Sequence, residues 1–314
     1  MSYYGIQIEP QFGYSFDQIK YIVQNAEKLG FTHAWFSDHF MLNADATNLE
    51  SQECIVAMMA AVSYTTKLRI GSLVLCNNYR YPSVLAKQIA SLDNYSNGRI
   101  DFGYGAGWKE LEYSAYGIPF PSVKDRLGML EEAIQVIRKL WAEDKATFEG
   151  KYYQLKDAIS FPKPVQNPMK IWVGTMYAKI KMLTLASKYA DGINLAWAYP
   201  LEVFEEKMNL LDELCEKNDR KPDSLLRSYG IWTRIYESEE EKIKAWREIA
   251  EKRGFTLEEL EKRYEGAMHG TIEEITTKIK DYKKLGVSHF IFMFPGNQEI
   301  EQMKLFSKEI LPKL

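Results

Sequence analysis

Between Tyr4 and Phe294, short apolar segments recur, each followed by a stretch of helical periodicity, and this alternation restricts the fold more than any other feature of the chain. Tyr4–Glu9 (YGIQIE) reads as a strand. Ser15–Leu29 reads as a helix, with Ser15 or Asp17 as N-cap, an apolar face of Ile19, Ile22, Val23 and Ala26, and Gly30 as its stop. His33–Ser37, Leu68–Cys76 and Arg99–Tyr104 are further strands, with helices over Ser51–Tyr64, Pro82–Leu92 and Lys124–Trp141. Leu68–Cys76 (LRIGSLVLC) is almost wholly apolar, as expected of a strand buried on both faces. Lys170–Gly174, Gly192–Ala196, Tyr229–Tyr236 and His289–Phe294 continue the strands. Helices over Ala178–Tyr189 and Leu201–Lys217, charged helices through Leu285 and a last helix over Glu299–Leu311 continue the returns. Helical returns between apolar strands imply parallel pairing with right-handed crossovers. About eight such units in 314 residues predict an α/β fold, a closed (β/α)8 TIM barrel forming a single domain over residues 1–314.

One segment breaks the rhythm. Residues 142–169 contain a hairpin pattern turning at Glu149-Gly150, then the proline-punctuated run Phe161–Pro168, and read as an insertion between helix 4 and strand 5 without its own core. Glu237–Lys242 (ESEEEK) reads as a helix start, with Ser238 as cap and acidic residues in the first turn, where the helix dipole favours them.

Composition removes several functional classes. With 40 Lys+Arg against 43 Asp+Glu the net charge is −3, and no basic block marks a nucleic-acid surface. No run approaches the ~18 uncharged apolar residues of a membrane span. Cys54, Cys76 and Cys215 are too few and too scattered for a disulfide framework or a CxxC metal site. The beginning of the chain, MSYYGIQIEPQFG, lacks the charged start and apolar run of a secretion signal, so a cytoplasmic protein is expected.

In such a barrel the chemistry sits at the C-terminal ends of the strands. That selects Glu9, Asp38-His39, Cys76-Asn77, Gly105–Trp108, Gly174-Thr175-Met176, Trp197, Arg234 and Pro295-Gly296. The set is poor in metal ligands; adjacent Asp38 and His39 would point to opposite faces of a regular strand, and there is no HExxH, so no metal is expected. His33, His269 and His289 fall near strand starts or helix ends. Gly103-Tyr104-Gly105-Ala106-Gly107 follows a strand, but Trp108 stands where a dinucleotide fingerprint needs its third glycine. The glycines suit either a backbone approached by a ligand or tight barrel packing. Glu9, Asp38, Glu110 and Glu112 could in principle supply a glycosidase pair, whose separation a sequence does not contain. Trp108, Tyr113, Trp197 and Phe294 suggest a partly apolar substrate.

The segment Tyr81–Trp141 carries the pattern P-x-x-L-A-K-Q, L-D, S-x-G-R, G-x-G-x-G-W, E-Y, G-I-x-F, R, E-E-A-I and L-W in that order. Together with Ser37-Asp38-His39-Phe40, Lys163-Pro164-Val165-Gln166, Ile171–Gly174 and Tyr189-Ala190-Asp191-Gly192, it resembles the bacterial luciferase-like superfamily of flavin- and deazaflavin-dependent oxidoreductases. Its nearest subgroup is the one assigned to coenzyme F420, which includes relatives of methylenetetrahydromethanopterin reductase. The resemblance implies F420 (alternatively FMN) lying across the barrel mouth. It implies hydride exchange with a small-molecule substrate, His39 handling the accompanying proton and Asp38 holding the ring edge. It further implies a bulge at Leu73-Val74 with a non-prolyl cis peptide behind the ring, Cys76 and Asn77 along the tail, and Gly107 and Trp108 beside the cofactor. Gly174-Thr175-Met176 would hold the cofactor phosphate at a helix start. Family members usually form homodimers, and the helices Ser51–Tyr64 and Pro82–Leu92 carry apolar residues to spare. Two departures leave the substrate open: several deazaflavin dehydrogenases carry Glu where this chain has Trp108, and Trp near Asn43.

Overall fold

A computed structural model of the chain describes residues 2–197 and 199–314. Eight strands close on themselves in parallel: β1 (Tyr3–Ile8), β2 (His33–Phe36), β3 (Arg69–Ser72), β4 (Ile100–Gly105), β5 (Ile171–Thr175), β6 (Gly192–Ala196), β7 (Leu226–Tyr236) and β8 (Val287–Met293). Pairing of β8 with β1 and of β6 with β7 completes the ring, so the barrel is the expected (β/α)8 architecture. Helices α1 (Phe16–Lys28), α2 (Cys54–Tyr64), α3 (Pro82–Tyr95), α4 (Val123–Ala142), α5 (Ile180–Tyr189), α6 (Leu201–Lys217), α7 (Ile272–Lys284) and α8 (Glu299–Leu305) return the chain between strands.

Local chemistry sets the helix ends. Ser15 and Gln18 form a reciprocal capping box at the start of α1, and Pro82 opens α3 where its missing N–H is harmless. Ser238 caps the helix Glu239–Arg253 as expected, with three glutamates in its first turn. The helix expected from Ser51 starts only at Cys54, where the Glu53 side chain accepts the Val56 amide.

The interior of the barrel is filled by two tryptophans. Trp35 and Trp172 meet edge to face with centroids 5.9 Å apart, and Ile291 packs against both. Strand register supplies the space: Trp35 lies opposite Gly71, and Trp172 opposite Gly192. A Cβ at either glycine would run into the six-membered ring of its tryptophan. Below this layer, Arg69 grips Asp101 through two bonds of 2.9 Å, His33 stands 3.4 Å from the same carboxylate, and Tyr3 stacks on His289.

The run Leu68–Cys76 is not the one continuous strand its composition suggests: pairing breaks after Ser72 and resumes for Leu75–Cys76, with a cis peptide at Leu73–Val74 between, where the family resemblance places it. Two further features differ from the sequence expectation. A short helix, Glu110–Ala115, follows β4. A short strand, Met268–Thr271, pairs with the end of β7 beyond the barrel wall; four residues inside a charged helical stretch are too few for periodicity to reveal. The inserted hairpin forms as expected, pairing Ala146–Glu149 with Gln154–Ala158. Glu132 on α4 pins its tip by accepting the amides of Lys151, Tyr152 and Tyr153 at 2.8–3.0 Å. Ala146, Tyr153 and Met169 join the main buried cluster.

Gly71→Ala should therefore destabilise by ~1–3 kcal/mol, the usual penalty for overpacking. Urea unfolding reads this out, and a neutral result would show that the Trp35 layer tolerates displacement.

Candidate active site

The floor of the mouth is made by the break in β3. Leu73 and Val74 are half-buried there, and the Val74 side chain occupies space left by three glycines. A Cβ on Gly105 would come within 2.6 Å of Val74 Cγ2, and one on Gly174 within 2.7 Å of Val74 Cγ1. At Gly103 a Cβ would meet the Ser72 carbonyl, and the Ser72 hydroxyl bonds both the amide and the carbonyl of Gly103. The strand-4 glycines thus accommodate the bulge.

Two buried carboxylates set the wall. Asp38 accepts Arg80 Nη1 and Nη2 at 2.7 and 2.8 Å and the Cys76 amide at 2.8 Å, and its side chain is 1% exposed. Arg80 also reaches Glu53, tying the start of α2 to this pair. Burial lowers the proton affinity of Arg80, but the charge and hydrogen bonds of Asp38 and Glu53 outweigh it and keep the guanidinium firmly charged. Asp38 is therefore spent on clamping the strand-3 loop and does not present its carboxylate to the mouth.

Glu112 is the second carboxylate and the one that sequence reasoning passed over as one acid among many. Its Oε1 accepts the Phe40 and Met41 amides at 2.8 and 3.1 Å. Its Oε2 accepts the Tyr79 hydroxyl at 2.7 Å and lies 2.8 Å from His39 Nδ1. Lys109 stands 3.3 Å from Oε1 and donates to the Met41 and Leu42 carbonyls. Burial raises the proton affinity of Glu112, but the contact with His39, the Tyr79 hydroxyl and the Met41 amide more than reverse this, holding the carboxyl at about 2. The sequence offered no signal for it: Glu112 lies in a helix too short to show a period, and its full burial beside Tyr113 appears only in the structure.

His39 itself is partly open, with its side chain 19% exposed. Trp108, 57% exposed, stands edge to face with it at 5.7 Å. Phe40 is sandwiched between Tyr79 and Tyr116, with centroids at 4.4 and 4.3 Å. Trp197 stacks in parallel with Trp232 at 6.4 Å. Of the aromatics expected at the mouth, Trp108 and Trp197 are partly open, but Tyr113 and Phe294 pack inside and face no substrate.

Several expected contacts move. Asn77 is fully buried, accepting from Tyr104 at 2.6 Å and donating to Tyr153 at 3.2 Å, so it braces the wall instead of lining the mouth. Cys76 is buried against the Tyr113 hydroxyl at 3.1 Å, and burial pushes its thiol up to about 12. Gly107 adopts φ +74°, a left-handed conformation that suits glycine, and a Cβ there would strike Tyr113 and Cys76. Gly174, Thr175 and Met176 are half-buried, but helix α5 begins later, at Ile180. Thr175 Oγ1 accepts the Ala178 amide, and Met176 receives the Tyr199 hydroxyl at its carbonyl. The first turn of α5 has no side-chain cap, which leaves its leading amides available to an anion beside exposed Lys179.

The arrangement is first of all a parallel barrel with an apolar bulged floor, an aromatic wall, a partly open histidine and an uncapped helix start. No cluster of three potential metal ligands occurs among the described residues. Residues 4–265 match the luciferase-like monooxygenase family, and the chain belongs to that family. Among its relatives is the F420-dependent glucose-6-phosphate dehydrogenase of Amycolatopsis mediterranei, 29% identical over 95% of this chain and 94% of that one. The enzyme of the same description from Kineococcus radiotolerans is 28% identical, covering 92% and 90%. Among solved structures, an F420-dependent secondary alcohol dehydrogenase with an F420–acetone adduct superposes with a TM-score of 0.83 at 24% identity, covering 99% and 98% of the chains. The coenzyme F420-dependent tetrahydromethanopterin reductase of Methanopyrus kandleri gives 0.79 at 20% identity, covering 99% of each.

The strengthened acidity of Glu112 has a stability consequence. Folded Glu112 stays ionised where the unfolded carboxyl protonates, so its contribution is complete above its ordinary value of 4.5 and is lost as pH falls toward about 2. At ~1.4 kcal/mol per unit of depression this is a few kcal/mol. Urea unfolding at about pH 6 and about pH 3 should show a smaller acid loss in Glu112→Gln than in the wild type. Equal losses would mean that the carboxylate is not held as described.

Proposed function

We propose that the protein is an F420-dependent oxidoreductase that exchanges a hydride between the deazaflavin and a small, partly apolar organic substrate. The observation that carries this reading is His39, anchored through Nδ1 by a buried carboxylate and partly open at the end of β2, in a barrel whose neighbouring β3 is broken at Leu73 and Val74. The names of the glucose-6-phosphate dehydrogenase relatives support the choice of cofactor.

The residues present fit such a group. Leu73 and Val74 offer an apolar back for a flat ring, and the glycines at 103, 105 and 174 allow that back to sit high in the barrel. Gly107 and Trp108 would stand beside the ring, while Gly174, Thr175, Met176 and the uncapped amides of α5 with Lys179 would receive the phosphate-bearing tail. Asp38 and Cys76 act one step back, by holding the β3 loop in place. When bound, F420 supplies a two-electron hydride donor or acceptor. His39 exchanges the accompanying proton. Trp108 and the Trp197–Trp232 pair supply apolar area for the substrate body.

A second reading is an FMN-dependent monooxygenase, favoured by the description of the family. Mass spectrometry of pigment retained by the purified protein separates the two, with turnover tested on glucose 6-phosphate and propan-2-ol. Retention of FMN, with no binding of added F420, would overturn the deazaflavin reading. His39→Ala should leave F420 affinity within a few-fold and slow hydride transfer by ~10²–10⁴, the usual worth of a positioned acid or base. An unchanged single-turnover rate would remove His39 from the chemistry.

The protein works as a cytoplasmic homodimer in this proposal. Its three cysteines are buried and free, as in a reducing compartment. Val56 and Met59 on α2 and Val84 and Tyr95 on α3 are exposed by 39–58%, forming an apolar face suited to a second copy. Light scattering at micromolar concentration should give the dimer mass, and Val84→Glu should shift it toward monomer.

A further inference from the structure

The Glu112 carboxylate is surrounded by groups of unequal chemistry, and the inequality determines where its neighbours keep their protons. Oε1 faces the backbone amides of Phe40 and Met41, which can only donate, and the ammonium of Lys109, which can only donate. Oε2 faces the Tyr79 hydroxyl and His39 Nδ1. A fully buried carboxylate with this many donors remains an anion, and an anion only accepts. The hydrogen shared between Glu112 and His39 therefore belongs to Nδ1. The other ring nitrogen, Nε2, makes no hydrogen bond to protein among the described residues, and the ring lies beside exposed Trp108.

We propose that Glu112 is the positioning residue of this site, holding His39 in the Nδ1–H tautomer so that Nε2 presents a lone pair to the substrate. The proposal rests on the hydride-transfer reading for its purpose. When a substrate alcohol is oxidised, its hydroxyl proton passes to Nε2 and the O–H electron pair forms the new C=O bond. When bound, the cofactor would accept the carbinol hydrogen together with its C–H electron pair as hydride. The imidazolium that results has Glu112 as its counter-ion at 2.8 Å. Lys109 and Tyr79 face the same carboxylate, and the neighbouring Asp38 is already matched by Arg80.

Glu112→Gln tests this sharply, because the surroundings dictate how the amide must sit. Its oxygen must take the Oε1 position, where two backbone amides need an acceptor. Its NH2 then points at His39 Nδ1 and donates to it, which drives the ring proton to Nε2 and removes the acceptor from the mouth. The same change withdraws the counter-ion. Side-chain ¹⁵N NMR of the full-length protein, with His39→Asn to assign the signal among four histidines, reads the tautomer directly.

The expected result is Nδ1–H for neutral His39 in the wild type and Nε2–H in Glu112→Gln. Glu112→Asp, which keeps the charge, should retain the wild-type tautomer. Nε2–H in the wild type would overturn the proposal, as would a folded Glu112→Gln that keeps Nδ1–H. If Glu112→Gln does not fold, the wild-type tautomer alone decides. None of these spectra needs the cofactor, so failure of F420 to bind would defeat the functional reading without touching this result.

Discussion

A carboxylate removed from water must be matched by donors or it will not stay ionised, and the mouth of this barrel is organised by two carboxylates under that demand. Asp38 draws in Arg80 and the Cys76 amide, which brings the end of β2 against the loop after β3. Glu112 draws in the Phe40 and Met41 amides, Tyr79 and Lys109, which folds the β2 loop onto the short helix after β4. Three loops that share no regular pairing are thereby locked to one another around His39. Truncating a partner of either buried pair would leave an uncompensated charge, at a typical cost of ~3–5 kcal/mol.

The floor follows from sterics. Breaking β3 at Leu73-Val74 lifts Val74 out of the strand's alternation and into the barrel opening, where its methyl groups need space. Gly103, Gly105 and Gly174 provide it on two neighbouring strands. Tight barrel packing thus accounts for the glycines at 103 and 105, whose pattern superficially suggests a phosphate-binding turn.

Much of the barrel was legible because strands buried on both faces are written as short apolar runs and their helices as amphipathic ones. Gly192–Ala196 and Leu201–Lys217 coincide with their expected bounds. The break within Leu68–Cys76 was not legible from composition, since an interrupted apolar run looks like a continuous one; only the likeness to a family pointed to it. His39 could be singled out because it follows a strand. Glu112 could not, because its importance lies in contacts with residues 33 to 73 positions away in the chain. Asn77 misled for the complementary reason: its place after a strand end is right for a site, but the tyrosines that enclose it come from β4 and the inserted hairpin region.

The pairing of Trp35 with Gly71 and of Trp172 with Gly192 bears on how such a chain can change over generations. Shrinking either indole alone opens a void, and enlarging either glycine alone creates a collision. Each intermediate on the route to a different interior is therefore handicapped, and the two members of a pair can be exchanged only in concert. Outside the clusters around Asp38 and Glu112, the loops above carry no such mutual veto. Descent with modification should consequently hold the height of the barrel's plug nearly constant while the walls of the mouth diversify, so that new substrates are met by new rims on an inherited floor.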